Sequence, residues 1–150
     1  MTTMVGTEGD ITSLVTNLIY LEHDAIGAYD SCIERLDDKE LSAQIAAFKQ
    51  DHLHHLDVLT NMATELQIEV PTEGDMKEYL TTGKIALADM IGDRAILKAM
   101  KTNEDDTVTA YELAARHEDA IPPSKAFFLQ ALEDERRHRA WMSTTAETLS

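Results

Sequence analysis

Two pairs of a carboxylate and a histidine at helical spacing are the side chains best suited to chemistry in this sequence: Asp51-His52-Leu53-His54 and Glu135-Arg136-Arg137-His138. Residues three apart share one face of a helix, so the carboxylate and the imidazole of each pair can bind one centre. Two further acids interrupt apolar stripes. Glu22 stands four residues after Leu18 and seven before Tyr29, and Glu104 stands in the same relation to Met100 and Tyr111. A charge on a core stripe is costly unless it is paired or bound to metal. The stripe that holds Glu135 and His138 reads Phe128, Ala131, Glu135, His138, Met142. The other reads Phe48, Asp51, His55, Val58, with His54 one step around. His54 is taken as the inward imidazole there, with His55 or His52 as the alternative.

Four long helices must position these groups. Ile11, Leu14, Leu18, Ala25, Tyr29, Ile33 and Leu36 recur at three and four residues and predict a helix over 11–36, with Asp10 as its N-cap. Asp37-Asp38-Lys39 reads as a tight turn, and a second helix over about 40–67 stops before Val70-Pro71. The long connection over 68–92 is expected to hold a short helix with Tyr79, Leu80, Ile85, Leu87 and Met90. Asp93 then caps a third helix carrying Leu97, Met100, Val108 and Tyr111. Pro122-Pro123 breaks the chain, and Ser124 helps cap a fourth. Helix, short turn, helix, long crossover, helix, short turn, helix is the order of a four-helix bundle with one crossover.

The spacing brings the acids level. About 15 residues separate Glu22 from the turn near 37, and about 13 separate that turn from Asp51, so at ~1.5 Å per residue the two carboxylates face each other across the hairpin. Glu104, the turn near 120 and Glu135 repeat the arrangement. A sequence repeat agrees: EHDAIGAYD at 22–30 aligns with EDDTVTAYE at 104–112, with Glu, Asp, Ala and Tyr identical in register. Docking two such hairpins gathers four carboxylates and two imidazoles at the bundle centre.

With that set of residues, the sequence resembles the ferritin-like superfamily over roughly 11–148. Within it the chain is similar to the small bacterial di-iron carboxylate proteins, erythrin- or rubrerythrin-like bundles without a rubredoxin domain. The resemblance implies an all-α, ferritin-like four-helix bundle of two hairpins, one domain spanning 1–150. It also implies metal-ligand roles for Glu22, Asp51, His54, Glu104, Glu135 and His138. Asp51 stands where the family usually has Glu, and its shorter arm is expected either to leave it terminal rather than bridging or to hand coordination in part to His55 or a water. Four carboxylates with two neutral imidazoles suit two Fe ions, with Mn as the alternative and Zn as an adventitious occupant. Tyr29 and Tyr111 are core aromatics whose hydroxyls need partners, and ligand carboxylates of the opposite hairpin are the expected ones.

The rest of the composition excludes several functions. In 150 residues there are only three prolines, six glycines and 5% aromatics, poor material for an all-β sandwich and good material for helices. A net charge of −15 repels nucleic acid and anionic membrane surfaces. The single cysteine, Cys32, excludes an internal disulfide and any CxxC site, which fits a cytoplasmic setting. The first ten residues, MTTMVGTEGD, have neither a basic start nor an apolar stretch, so no secretory signal is expected. His23 and His117 are read as exposed, and Arg136, Arg137 and Arg139 as salt-bridge partners on the solvated face. The expected partners are metal ions, a small oxidant such as oxygen or hydrogen peroxide, and a second copy in a homodimer. The resemblance suggests ferroxidase or peroxidase-like chemistry in stress defence. The alternative is a metal-sequestering or structural dimeric bundle without turnover.

Overall fold

The first two helices start where an aspartate side chain satisfies a free amide of the first turn. In a computed structural model that describes residues 5–6, 8–70 and 87–149, α1 runs Ile11–Arg35 and α2 runs Lys39–Glu65. The third helix, α3, runs Asp93–Ala115, and α4 runs Pro122–Thr148. Asp10 caps α1, its carboxylate accepting from the Ser13 amide at 2.7 Å. Asp38 caps α2 by accepting from the Glu40 amide at 2.9 Å. The left-handed Gln67 (φ 58°) closes the end of α2, as the Gln67 and Ile68 amides donate to the Thr64 and Ala63 carbonyls.

Two expected caps differ. Gly92, at φ 90°, holds the N-cap position of α3, and Asp93 is the first helical residue. The Asp93 carboxylate instead accepts from the Asp37 and Asp38 amides, at 2.8 and 3.0 Å, so it ties α3 to the α1–α2 turn. Ser124 does not cap α4, because Pro122 opens the helix with its φ already fixed and without an amide to satisfy. The short crossover helix expected over Tyr79, Leu80, Ile85, Leu87 and Met90 falls mostly on 71–86, outside the described residues; Leu87 is buried and Met90 exposed.

The architecture is a ferritin-like four-helix bundle. The first hairpin is α1 against α2 and the second is α3 against α4. The two hairpins meet mainly along α1 and α3, with a smaller contact between α2 and α4. Two apolar clusters fill the bundle. One gathers Leu14, Leu18, Leu59, Val108 and Phe128, and the other gathers Cys32, Leu36, Ile45, Met100 and Met142. Each of these leucine, isoleucine, valine, methionine and phenylalanine side chains contributes about 1.5–3 kcal/mol by leaving water. Burial pushes the Cys32 thiol up to about 12, so it behaves as a small core residue. The charged stripe residues lie between these two apolar ends. No described helix is long and apolar enough to cross a membrane.

Candidate metal centre

Glu22, His52, His55, Glu104, Glu135 and His138 converge between the apolar clusters, each with 1% or less of its surface exposed. They form two overlapping groups, Glu22–His52–His55–Glu135 and His52–Glu104–Glu135–His138. Within each group the ligand atoms lie within 4.8 Å of one another, so each can hold a metal ion.

The structure brings Glu22, Glu104, Glu135 and His138 together as the sequence spacing anticipated, but not Asp51 and His54. His54 faces solvent, and the inward imidazoles of α2 are His52 and His55. The reason is the register of the whole helix. Ile45, Phe48, His52, His55, Leu59 and Ala63 form the buried stripe. Turning α2 by one residue, about 100°, would bring Asp51 and His54 inward only by driving Phe48 and Leu59 out. Asp51 therefore sits at the rim, about a third exposed, and reaches the centre through His138, whose Nε2 donates to Asp51 Oδ2 at 2.7 Å. The buried set is three carboxylates and three imidazoles, where four and two were expected. The signal that finds it is a second repeat: Asp51-His52-Leu53-His54-His55 aligns with Asp134-Glu135-Arg136-Arg137-His138, pairing Asp51 with Asp134, His52 with Glu135 and His55 with His138.

All three imidazoles are held the same way. One ring nitrogen donates to a carboxylate, which accepts only, and the other points at the centre. His138 Nε2 is held by Asp51, His55 Nε2 by Asp134 Oδ2 at 2.8 Å, and His52 Nδ1 by Glu22 Oε2 at 2.7 Å. Asp134 was not singled out in the sequence; it is the repeat counterpart of Asp51. Carboxylate, imidazole and metal in line is how proteins fix the tautomer and aim of a ligating histidine. Three of the inward atoms, His52 Nε2, His55 Nδ1 and Glu135 Oε1, have no hydrogen-bond partner although fully buried. His55 Nδ1 stands 3.4 Å from both Glu22 Oε1 and Glu135 Oε1. Buried polar atoms are ordinarily satisfied, and these three are the donor types that hold iron, manganese or zinc.

The tyrosines cross between hairpins. Tyr111 donates to Glu22 Oε1 at 2.6 Å, and Tyr29 donates to Glu104 Oε1 and lies 3.1 Å from His138 Nδ1. Burial and the adjoining carboxylates push both phenols well above their ordinary value, so they stay protonated donors. Thr107, on α3, places its hydroxyl 3.1 Å from Glu104 Oε2 and 2.9 Å from Glu135 Oε2. At the rim, Arg137 pairs with Asp51 at 2.8 Å and with Asp134 at 3.2 Å, and lies over the Phe48 ring. Arg136 reaches Glu112 and Arg139 reaches Asp105, so all three arginines are salt-bridged as expected. His117 differs from its expected exposure: it is buried, and its Nε2 donates to the Glu8 carbonyl at 2.7 Å.

Without metal the cluster holds protons. Burial raises Glu104, and the neighbouring Glu135 raises it further, to about 7. Burial works to lower His55, but its hydrogen bond to Asp134 and the nearby Glu135 and Glu22 carboxylates outweigh that and push it up to about 11. For His52 burial is outweighed by the charges of Glu135 and Glu22, and its pKa is raised. Burial likewise disfavours the Glu22 and Glu135 carboxylates, yet the His52 charge holds both below the usual range. Cations at the centre would take over the work of these protons.

A family model described as "Domain of unknown function (DUF2383)" matches residues 10–117, which contain α1, α2 and α3. Among solved structures, the X-ray structure of Dps from Thermosynechococcus elongatus superposes with a TM-score of 0.66, covering 91% of this chain and 94% of that chain at 11% identity. At that identity the likeness carries the fold alone. No curated protein matches the sequence.

Proposed function

The chain belongs to the DUF2383 family, and from that premise we propose that it is a metal-binding ferritin-like protein with a dinuclear site for iron, or alternatively manganese, that reacts with oxygen or hydrogen peroxide. The observation that carries the reading is the set of orphaned inward atoms, His52 Nε2, His55 Nδ1 and Glu135 Oε1, among three buried carboxylates. Glu135 belongs to both groups, so its two oxygens can serve two ions. Glu22 and His55 would complete one position, and Glu104 and His138 the other.

Two such ions would supply reversible oxidation against a small oxidant. The remaining work falls to the chain. Asp51, Asp134 and Glu22 keep a proton on the outer nitrogen of each imidazole and so leave the inner lone pair for metal. Tyr29 and Tyr111 hold Glu104 and Glu22 in place and keep their own protons. The apolar clusters at either end keep bulk water from the carboxylates and strengthen every charge interaction inside. The inferred partners are metal ions and a small oxidant, with a homodimer to be read by sedimentation.

Elemental analysis of protein purified without chelator is the first test, and two ions per chain is the expected result. Rapid mixing of the iron(II)-loaded protein with hydrogen peroxide then separates the outcomes. Fast oxidation with repeated turnover supports the catalytic reading, and stoichiometric binding without turnover makes the protein a metal store. Absence of tight metal overturns both.

A further inference from the structure

We infer that His52 makes the two metal positions chemically unequal, so that the position formed by Glu104, Glu135 and His138 fills first and the position formed by Glu22 and His55 fills second. The inference rests on the dinuclear reading above and goes beyond it to the order of loading.

The repeat sets the frame. Glu22 pairs with Glu104, His55 with His138 and Tyr29 with Tyr111, each like with like. At the remaining inner position the pairing is His52 with Glu135. A glutamate there offers two equivalent oxygens, one to each ion. An imidazole offers two nitrogens on opposite edges of a rigid ring and cannot serve two closely spaced ions in that way. The geometry shows which side His52 serves. Its Nδ1 is engaged by Glu22 Oε2 at 2.7 Å. Its free Nε2 lies 3.5 Å from Glu135 Oε2 and 3.6 Å from Glu104 Oε1.

The Glu104 side thus collects two imidazole nitrogens, His52 Nε2 and His138 Nδ1, with the carboxylates Glu104 and Glu135. His52 also belongs to the group on the Glu22 side, but its Nδ1 there is already engaged by Glu22, which leaves His55 and the Oε1 atoms of Glu22 and Glu135. Both outer carboxylates are engaged, Glu22 by His52 and Tyr111 and Glu104 by Tyr29 and Thr107. The two sides differ in that Glu22 spends one oxygen on the His52 imidazole, while Glu104 faces the free nitrogen of that ring. A second departure from the repeat points the same way. Thr107, whose hydroxyl steadies Glu104 and Glu135, has Ala25 as its counterpart, so Glu22 has no such support. Four donors, two of them imidazoles, bind an ion more tightly than three with one imidazole, and imidazole suits iron and zinc.

Crystals of the full chain grown with one equivalent of cobalt(II) test the order directly. The expected result is an anomalous peak at ligand distance from His52 Nε2 and His138 Nδ1, with the His55 position filling only when a second equivalent is added. A first peak at His55, or two peaks at half occupancy, overturns the inference while leaving the dinuclear reading intact. Cobalt at neither position overturns the metal reading and this inference with it. In solution, titration followed by cobalt absorption should resolve two steps. His52→Ala should weaken the first step by about 10- to 100-fold, the range found for disturbed metal sites. His52→Glu should bring the two steps together, and steps unchanged in both variants would overturn the inference. Circular dichroism melts of the two variants confirm that each is folded.

Discussion

Replacing Tyr111 by Phe removes one hydroxyl from the bundle centre and leaves the ring, which packs beside Phe127 and Phe128. The hydroxyl is fully buried and donates to Glu22 Oε1 at 2.6 Å. A hydrogen bond to a charged group contributes about 1.5–3 kcal/mol, and no water can replace a donor lost there. His52 still holds the other oxygen of Glu22, which limits the loss to a single bond. Stability of the metal-free protein should therefore fall by about 2 kcal/mol. For a domain of this size each kcal/mol moves Tm by roughly 2–4 °C, so a fall of about 4–8 °C is expected. The measurement is a calorimetric melt at pH 7 in the presence of chelator. Tyr29→Phe should behave in the same sense, because its hydroxyl does the same for Glu104. A shift below about 1 °C in both variants would refute the reasoning, since it would mean that the carboxylates find other donors or sit in water.

The side-chain placements carry further predictions. His54→Ala should leave metal content unchanged, whereas His55→Ala should remove one ion per chain, as read by elemental analysis. Arg137 is about half exposed, so Arg137→Ala should change stability by less than about 1 kcal/mol. Freed from it, Asp51 and Asp134 would hold their histidines less firmly, and metal should leave faster to a chelator in stopped flow. Metal binding at pH 7 should release about two to three protons, from His52, His55 and partly from Glu104, whose folded pKa values are raised. Calorimetry in buffers of different ionisation enthalpy would count them. The sign follows from the same shifts. The proton on His55 stabilises the metal-free fold fully below its unfolded value near 6.5 and is lost as pH rises toward about 11, so apparent metal affinity must rise with pH over that span.

The bundle was legible because three of its four stripes are written in apolar residues around one or two polar intruders. Leu18 and Tyr29 fix the face of Glu22, Met100 and Tyr111 that of Glu104, and Phe128 and Met142 that of Glu135 and His138. On α2 five consecutive residues, Asp51 to His55, include four polar ones, and Leu53 beside them is exposed. Periodicity then has no apolar anchor within the site, and Asp51-x-x-His54 imitates the ligand pair one residue early. Counting four and three onward from Phe48 lands on His52 and His55, and continuing four lands on Leu59. That count would have fixed the register. The missed Asp93 cap has a different cause, because Asp93 answers to amides in a turn more than fifty residues away, which no local pattern records.

The bonds that aim the ligands run between hairpins more than within them. Tyr29 reaches Glu104, Tyr111 reaches Glu22, His55 is anchored by Asp134 and His138 by Asp51. Each hairpin is therefore half of a lock whose other half lies beyond the crossover, and neither half alone has a finished centre. The crossover's part is to keep the two halves at high effective concentration. A chain cut within it keeps every ligand, and two copies that exchanged hairpins would rebuild two complete centres from mixed halves. A metal ion bound at the centre would act as a rivet, fastening two pieces whose polar contacts already recognise each other.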